Sequence, residues 1–156
     1  MSMLRKILRP FMIVAPYVLR SSQTVAYPDD RLVFSERFRG RHRFYFDRCI
    51  HCGTCARVCP CDSIAMIPSG SDGGQHPQIN YGTCSLCGYC VEFCPTKALE
   101  FTDLVEYSEY VRKDLIYSPE KLAHVPDVKE LVPRLKRRIE AYLTDKEMKY
   151  RKVSDV

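Results

Sequence analysis

No uninterrupted apolar run in this sequence approaches the ~20 residues of a membrane-spanning helix, which argues against a bilayer-crossing segment. A glycine-rich phosphate loop is missing too, as are a nucleophile–base pair and an open metal position, so bond-making chemistry on a substrate has no residues to use. Cysteine is absent from residue 103 onward, which leaves the last third without disulfide or thiolate chemistry. The basic runs at residues 134–138 and 146–152 have few aromatic platforms among them, Tyr142 and Tyr150 apart, which argues against nucleic acid as a partner.

What the chain does have is cysteine in one place. Eight of its nine cysteines fall in two copies of C-x2-C-x2-C-x3-C-P. The first is Cys49, Cys52, Cys55, Cys59 and Pro60; the second, thirty-five positions on, is Cys84, Cys87, Cys90, Cys94 and Pro95. This is the ligand run of bacterial-type [4Fe–4S] ferredoxins. A cubane needs four thiolates, and three cysteines at i, i+3 and i+6 on a tight loop reach three corners, while the loop N–H groups face the sulfurs. Gly53 and Gly88 stand at matching places, where a Cβ would hinder close approach or a positive φ. The fourth cysteine lies beyond its own loop and ligates the other cluster. The expected sets are Cys49, Cys52, Cys55 and Cys94 for cluster 1, and Cys84, Cys87, Cys90 and Cys59 for cluster 2. Crossed ligation predicts that neither half folds alone.

Two other uses of cysteine fit less well. A secreted disulfide scaffold is opposed by the odd count and by the three-residue spacing. Structural zinc usually pairs two CxxC units, and a third cysteine at the same step followed by Cys-Pro has no use there. The formal charge is +5. Each cluster with four thiolates carries about −2, so the loaded chain sits near +1, and much of the basic excess offsets cluster charge.

At 156 residues the length suits one domain with appended arms. Metal sites replace much of the core that so small a unit cannot build from apolar side chains. The expected fold class is α+β, a bacterial-type 2[4Fe–4S] ferredoxin-like core with long N- and C-terminal extensions. Its parts are an N-terminal membrane- or partner-docking arm (1–43), a 2[4Fe–4S] ferredoxin domain (44–102, with motifs at about 44–69 and 75–104) and a C-terminal partner-docking extension (103–156).

Residues 1–20 place apolar side chains at helical spacing, with Arg5, Lys6 and Arg9 on the other side; Pro10 and Pro16 should break the segment into short pieces. It reads as a helix lying in a membrane interface, as an arm docked on a partner protein, or as a signal peptide, which its prolines disfavour. Residues 27–43 read as an extended linker. Arg31, Arg37, Arg39, Arg41 and Arg43, with Phe34, Phe38 and Phe44 among them, either pin a partner surface or form a solvated arm.

Phe44, Tyr45 and Phe46 predict a short strand leading to the first loop, and residues 64–67 should pair with 78–81. The second copy ends in a matching strand at 98–101, so that Ile64 and Leu99 occupy equivalent positions on the clusters. Cys61 reads as a small buried apolar residue. His42 and His51 read as surface bystanders outside the site. Beyond the core, Tyr107, Tyr110 and Tyr117 suggest a tail that wraps over it or over a neighbour. Asp127 to Glu130 resembles a capping box, and Val128, Leu131, Leu135, Ile139, Tyr142 and Leu143 predict one apolar helix face, kinked or begun at Pro133.

With the flanks read, the chain resembles the two-cluster ferredoxin-like subunit I of respiratory complex I, the NADH–quinone oxidoreductase. The resemblance is carried by Tyr27-Pro28, by the run from Glu36 to His42 that contains Arg-Phe-Arg-Gly-Arg, by both cysteine copies with Cys-Val-Glu-Phe-Cys-Pro-Thr at 90–96, and by the tyrosine-rich stretch 106–117. It implies two [4Fe–4S] clusters that relay single electrons toward a terminal cluster and a quinone, cluster 1 upstream of cluster 2. The chain would be a subunit of an enzyme while holding no substrate-transforming site itself. Implied partners are an upstream iron–sulfur subunit, a terminal-cluster subunit and a quinone-site membrane subunit, with the membrane surface met through residues 1–20. The implied location is peripheral, on the cytoplasmic side of the cell membrane. The short link from Gly40 to Cys49 is similar to chloroplast, cyanobacterial and archaeal forms, which leaves NADH, ferredoxin or F420H2 open as donor. The equivalent subunit of a membrane-bound hydrogenase, a soluble 2[4Fe–4S] ferredoxin and a non-redox module with structural clusters are the competing readings.

Overall fold

The computed structural model describes residues 3–19, 24–70, 73–144 and 148–153. In chain order its elements are α1 (Met3–Val14), β1 (Asp30–Leu32), β2 (His42–Phe44), α2 (Thr54–Arg57), β3 (Ile64–Pro68), β4 (Gln75–Asn80) and α3 (Tyr89–Glu92). After these come β5 (Leu99–Phe101), β6 (Ile116–Tyr117), α4 (Pro119–Ala123), α5 (Val128–Leu131), β7 (Arg137–Leu143) and β8 (Met148–Val153). The chain divides into two compact units, one of Met1–Val33 with Lys136–Val156, the other Phe34–Leu135.

The larger unit builds one design twice. β2 pairs antiparallel with β5, Phe44 opposite Leu99 and His42 opposite Phe101. β3 pairs antiparallel with β4, Ile64 opposite Ile79 and Met66 opposite Pro77. Each residue of one ladder lies thirty-five positions from its equivalent in the other, the same offset as the cysteine runs. The expected strands at 64–67 and 98–101 therefore form, whereas the strand expected at residues 44–46 ends at Phe44 and a 3₁₀ turn, Phe46–Arg48, leads to Cys49. β6 joins the free edge of β4, with Tyr117 opposite Ile79.

Phe44, Ile64, Ile79 and Leu99, all buried, close the centre together with Tyr81, Cys90, Ala98, Tyr117 and Leu122. Cys49, Cys55, Cys59, Cys84 and Cys94 pack on this cluster, so the thiols form part of the core wall. Ile64 and Leu99 do occupy matching buried positions, as the repeat predicts. Gly40 lets the β2–β5 ladder continue: its N–H donates to the Thr102 carbonyl at 3.1 Å, and a Cβ there would collide with the carbonyl oxygens of Thr102 and Leu104. α4 starts at a Ser118 cap, whose hydroxyl accepts from the Lys121 N–H at 3.3 Å, and Pro119 suits the first turn. That helix lays Leu122 into the core. Tyr107 and Tyr117 do wrap over the core, while Tyr110 stays in solvent.

Residues 128–143 depart from the single apolar helix face expected of them. α5 is one turn, capped by Asp127, whose carboxylate accepts from the Lys129 N–H at 3.2 Å. Pro133, unable to donate a backbone N–H, follows directly. The smaller unit then takes residues 137–143 as strand β7, central in the order β1-β7-β8. Ile139 is buried opposite Leu32 of the parallel strand β1, and the Val33 N–H donates to the Ile139 carbonyl at 2.9 Å. Asp30 accepts from Nε and Nη2 of Arg137 at 2.6 and 2.9 Å and fixes that pairing.

α1 runs unbroken through Pro10, contrary to the expected division into pieces. The lost hydrogen bond falls to the carbonyl of Lys6, on a helix exposed along its described face, where water can take the donor's place. Pro16 lies in the 3₁₀ stretch Ala15–Leu19 that follows. Ile7, Phe11, Met12, Ile13 and Val18 are all exposed. No helix among the described residues is long and apolar enough to cross a membrane.

Candidate metal centres

Both cysteine runs fold alike because both backbones make the same unusual turns. His51 and Leu86 have φ of 55° and 53°, Gly53 and Gly88 have 66° and 91°, and Asp62 and Lys97 both have 50°. These are three pairs at the repeat offset. Left-handed backbone at a bulky Leu or His is uncommon and costs energy, so its recurrence marks a shape that the loops must hold. Gly53 and Gly88 then open α2 and α3, which carry Cys55 and Cys90.

The fourth cysteines cross over. Cys94 lines one cavity with Cys49, Cys52 and Cys55, together with Pro77, Met66 and Leu99. Cys59 lies close enough to Cys84 and Cys90 for its charge to raise both thiols, and Cys87 acts on the same pair. The structure thus lines one cavity with the first expected set and places Cys59 near Cys84 and Cys90, although Cys61 also lies near Cys84 and Cys55 near Cys90. Backbone donors point at their sulfurs: the N–H of Ser63 lies 3.3 Å from Cys59 Sγ, that of Ala98 3.2 Å from Cys94 Sγ, and that of Leu86 3.5 Å from Cys84 Sγ. The first two of these contacts are again equivalents in the repeat.

The thiols' electrostatics fit a cationic iron core. Burial first, and then the neighbouring cysteines, pushes Cys55 up to about 11 and Cys90 up to about 12. Cys84 rises for the same reasons. Burial would also raise Cys94, but the N–H of Ala98 and the Thr96 hydroxyl bring it below the ordinary thiol value. The Thr54 hydroxyl and N–H lower Cys52 at the exposed rim. Thiols gathered this way cannot all ionise unless positive charge lies among them, which a bound metal centre supplies.

A single zinc ion fits less well. Four thiolates on zinc stand about 3.8 Å apart, from Zn–S bonds of about 2.3 Å. Among the described residues, the one group of three donors within 4.8 Å of one another is Cys49, His51 and His76, not a set of cysteines. No three cysteines among the described residues gather within that span.

Two residues read as outside the chemistry need correction, and a third went unnoticed. His42 is no surface bystander: it is 1% exposed, burial pushes it down to about 4, and its Nε2 lies 3.4 Å from Cys90 Sγ. Cys61 is half-buried rather than an apolar core residue, and its Sγ lies 3.3 Å from the Ser85 hydroxyl. His76, fully buried, packs edge-on against Phe44, Phe46 and His51. His51 itself is exposed and donates from Nδ1 to the Gln75 carbonyl at 3.2 Å. The signal that could have found His42 was the repeat itself, which sets it against Pro77 in the other copy.

Comparison with known proteins starts from this geometry. A family described as a 4Fe-4S dicluster domain matches residues 48–112. NAD(P)H-quinone oxidoreductase subunit I of the Acorus calamus chloroplast is 41% identical over 127 residues, covering 78% of this chain and 71% of that one. The Spinacia oleracea chloroplast protein of the same name is 40% identical over 127 residues, covering 78% and 75%. This chain belongs to the NAD(P)H-quinone oxidoreductase subunit I family. As a member of it, the chain is an α+β ferredoxin-like protein with two [4Fe–4S] clusters as its cofactors. Among solved structures, a chain of the membrane-bound sulfane sulfur reductase, an archaeal respiratory membrane complex, matches with a TM-score of 0.54 and 22% identity, over 96% of this chain and 88% of that one. At that identity the likeness shows a shared fold alone.

Proposed function

We propose that this chain is the electron-relay subunit of a membrane-associated NAD(P)H–quinone oxidoreductase assembly, passing single electrons through two clusters toward a quinone. The observation that carries the reading is the pair of crossed thiol sets sharing one core, with Cys55 near enough to Cys90 to raise its thiol. Each cluster, when bound, supplies reversible one-electron chemistry. Cys49, Cys52, Cys55 and Cys94 would hold one, and Cys84, Cys87, Cys90 and Cys59 the other. The backbone N–H groups of Ser63, Leu86 and Ala98 favour the charged ligand sulfurs, and the buried Phe44, Ile79 and Leu99 give the thiols an apolar wall. α2 and α3, which carry Cys55 and Cys90, pack together and would hold the two clusters side by side, close enough for one-electron exchange.

The flanks serve docking in this reading. The uncovered apolar side chains of α1 would lie in the membrane interface beside a quinone-site membrane subunit, on the cytoplasmic side, and residues 103–156 would meet neighbouring iron–sulfur subunits. The chloroplast relatives and the short Gly40–Cys49 link support a plastid-like assembly as a second possibility for the donor side. Purification from native membranes in mild detergent tests the proposal. The chain should co-migrate with further iron–sulfur and membrane subunits and show reversible bleaching on reduction. Recovery of the chain alone from the soluble fraction would overturn the assembly, and failure to reduce would overturn the relay.

A further inference from the structure

The duplicated halves differ at two positions beside one pair of equivalent cysteines. Cys55 and Cys90 are equivalents, as are His42 and Pro77, and Met66 and Phe101. In the first half, Cys55 Sγ faces the Met66 sulfur at 3.9 Å, and Pro77 lines the cavity with neither an N–H nor a polar side chain. In the second half, Cys90 Sγ faces the Nε2 of His42 at 3.4 Å.

The hydrogens of this contact can be assigned from its neighbours. The backbone N–H of His42 donates to the Tyr81 hydroxyl oxygen at 2.8 Å. That oxygen lies 3.0 Å from Nδ1 of His42 and can give its own proton there. An Nδ1 that accepts leaves the hydrogen of a neutral imidazole on Nε2. A metal-bound Cys90 has no S–H and can only accept, so Nε2–H donates to Sγ. Backbone to Tyr81, Tyr81 to Nδ1 and Nε2 to Cys90 form one chain in which every donor has an acceptor. Phe101 packs on the other side of the ring, centroids 4.6 Å apart, and holds it in place.

We propose that His42, oriented by Tyr81, donates a hydrogen bond to the Cys90 thiolate that raises the reduction potential of the second-copy cluster. The inference rests on the reading of Cys90 as a cluster ligand. A donor to a ligand sulfur favours the more negative, reduced state. With Pro77 and Met66 at the matching places, Cys55 has no such donor from this position, and raising the second cluster's potential biases electrons from cluster 1 to cluster 2. His42 is a positioning and tuning residue and transfers no electron.

The test is a redox titration of the assembled complex in membranes, both clusters followed by electron paramagnetic resonance. His42→Leu should lower the second-copy midpoint by about 59 mV, a tenfold change in a one-electron equilibrium, and leave the first unmoved. His42→Gln, whose amide can donate, should recover at least half of that shift. Pulsed resonance on wild-type complex with ¹⁵N-labelled histidine should show a nitrogen coupling to the reduced second cluster that His42→Gln abolishes. This measurement decides the matter if His42→Leu does not assemble. A loaded His42→Leu complex with both midpoints unchanged, both midpoints falling together, or a missing coupling in the wild type would overturn the proposal. Cys90→Ser separates the two readings. If it leaves both cluster spectra intact, the ligand assignment and this inference fall together; if it alters one that His42→Leu does not move, the inference alone falls.

Discussion

The buried guanidinium of Arg41 donates from Nη2 to the carbonyl oxygen of His124 at 2.7 Å and also to that of Lys121. One side chain from the Arg-Phe-Arg-Gly-Arg run thereby satisfies two carbonyls at the C-terminal end of α4, and its guanidinium carbon sits 4.9 Å from the Tyr117 ring centre. The run is thus partly a tether for the segment that follows the ferredoxin core. Arg41→Ala should cost about 1.5–3 kcal/mol, the range for a hydrogen bond to a charged group. Arg41→Lys should recover only part of this, because an ammonium cannot present the planar fork. The temperature at which the cluster absorption of the loaded chain bleaches would measure both.

Gly40→Ala and Gly53→Ala separate two kinds of glycine. At Gly40 the added methyl meets backbone carbonyls of Thr102 and Leu104 that cannot give way without parting the β2–β5 ladder. At Gly53 it meets nothing within 4 Å, and the only cost is a left-handed φ of +66°. Overpacking should destabilise the first by about 1–3 kcal/mol, and the left-handed strain should cost the second about 1–2 kcal/mol. The sharper contrast is location. Gly40→Ala should loosen hydrogen-exchange protection at Thr102 and Leu104, and Gly53→Ala should leave it alone.

Cys94→Ser and Cys59→Ser probe the crossing. Cys94→Ser should damage the centre that also takes Cys49, Cys52 and Cys55, and Cys59→Ser the centre that takes Cys84, Cys87 and Cys90. Resonance spectra of the two reduced variants should therefore lose or alter different clusters. Loss of the second-copy centre on Cys94→Ser would show that each run ligates its own cluster.

Removal of residues 1–19 should release the assembly's hold on this chain without emptying the clusters. Ile7, Phe11, Ile13 and Val18 are exposed to solvent here, so their loss removes no core contact in this chain. Loaded, truncated chain should keep its cluster absorption and lose its place in the membrane fraction. Cluster loss on truncation would mean that the arm has a structural role.

The cysteine runs could be read directly because spacing on a short loop dictates which sulfurs reach one metal centre. The strands at 64–68 and 99–101 could be read for a related reason: the repeat supplies each with a second copy. Residues 137–143 could not. Ile139 fits a helical stripe as well as it fits an alternating strand, and Leu32, which decides the matter, lies over a hundred residues away. Pro10 misled because a helix with its face in water tolerates the missing bond. His42 misled most, since its place beside Cys90 follows from the register with Phe101 and from the Tyr81 hydroxyl, neither of which is local in sequence.

The central claim is that eight thiolates hold two iron–sulfur cubes. Native mass spectrometry of the full-length chain, prepared and desalted without oxygen, tests it most directly. The expected mass increment is about eight iron and eight sulfide per chain. An increment of zinc, or of about four iron and four sulfide at full occupancy, would contradict it.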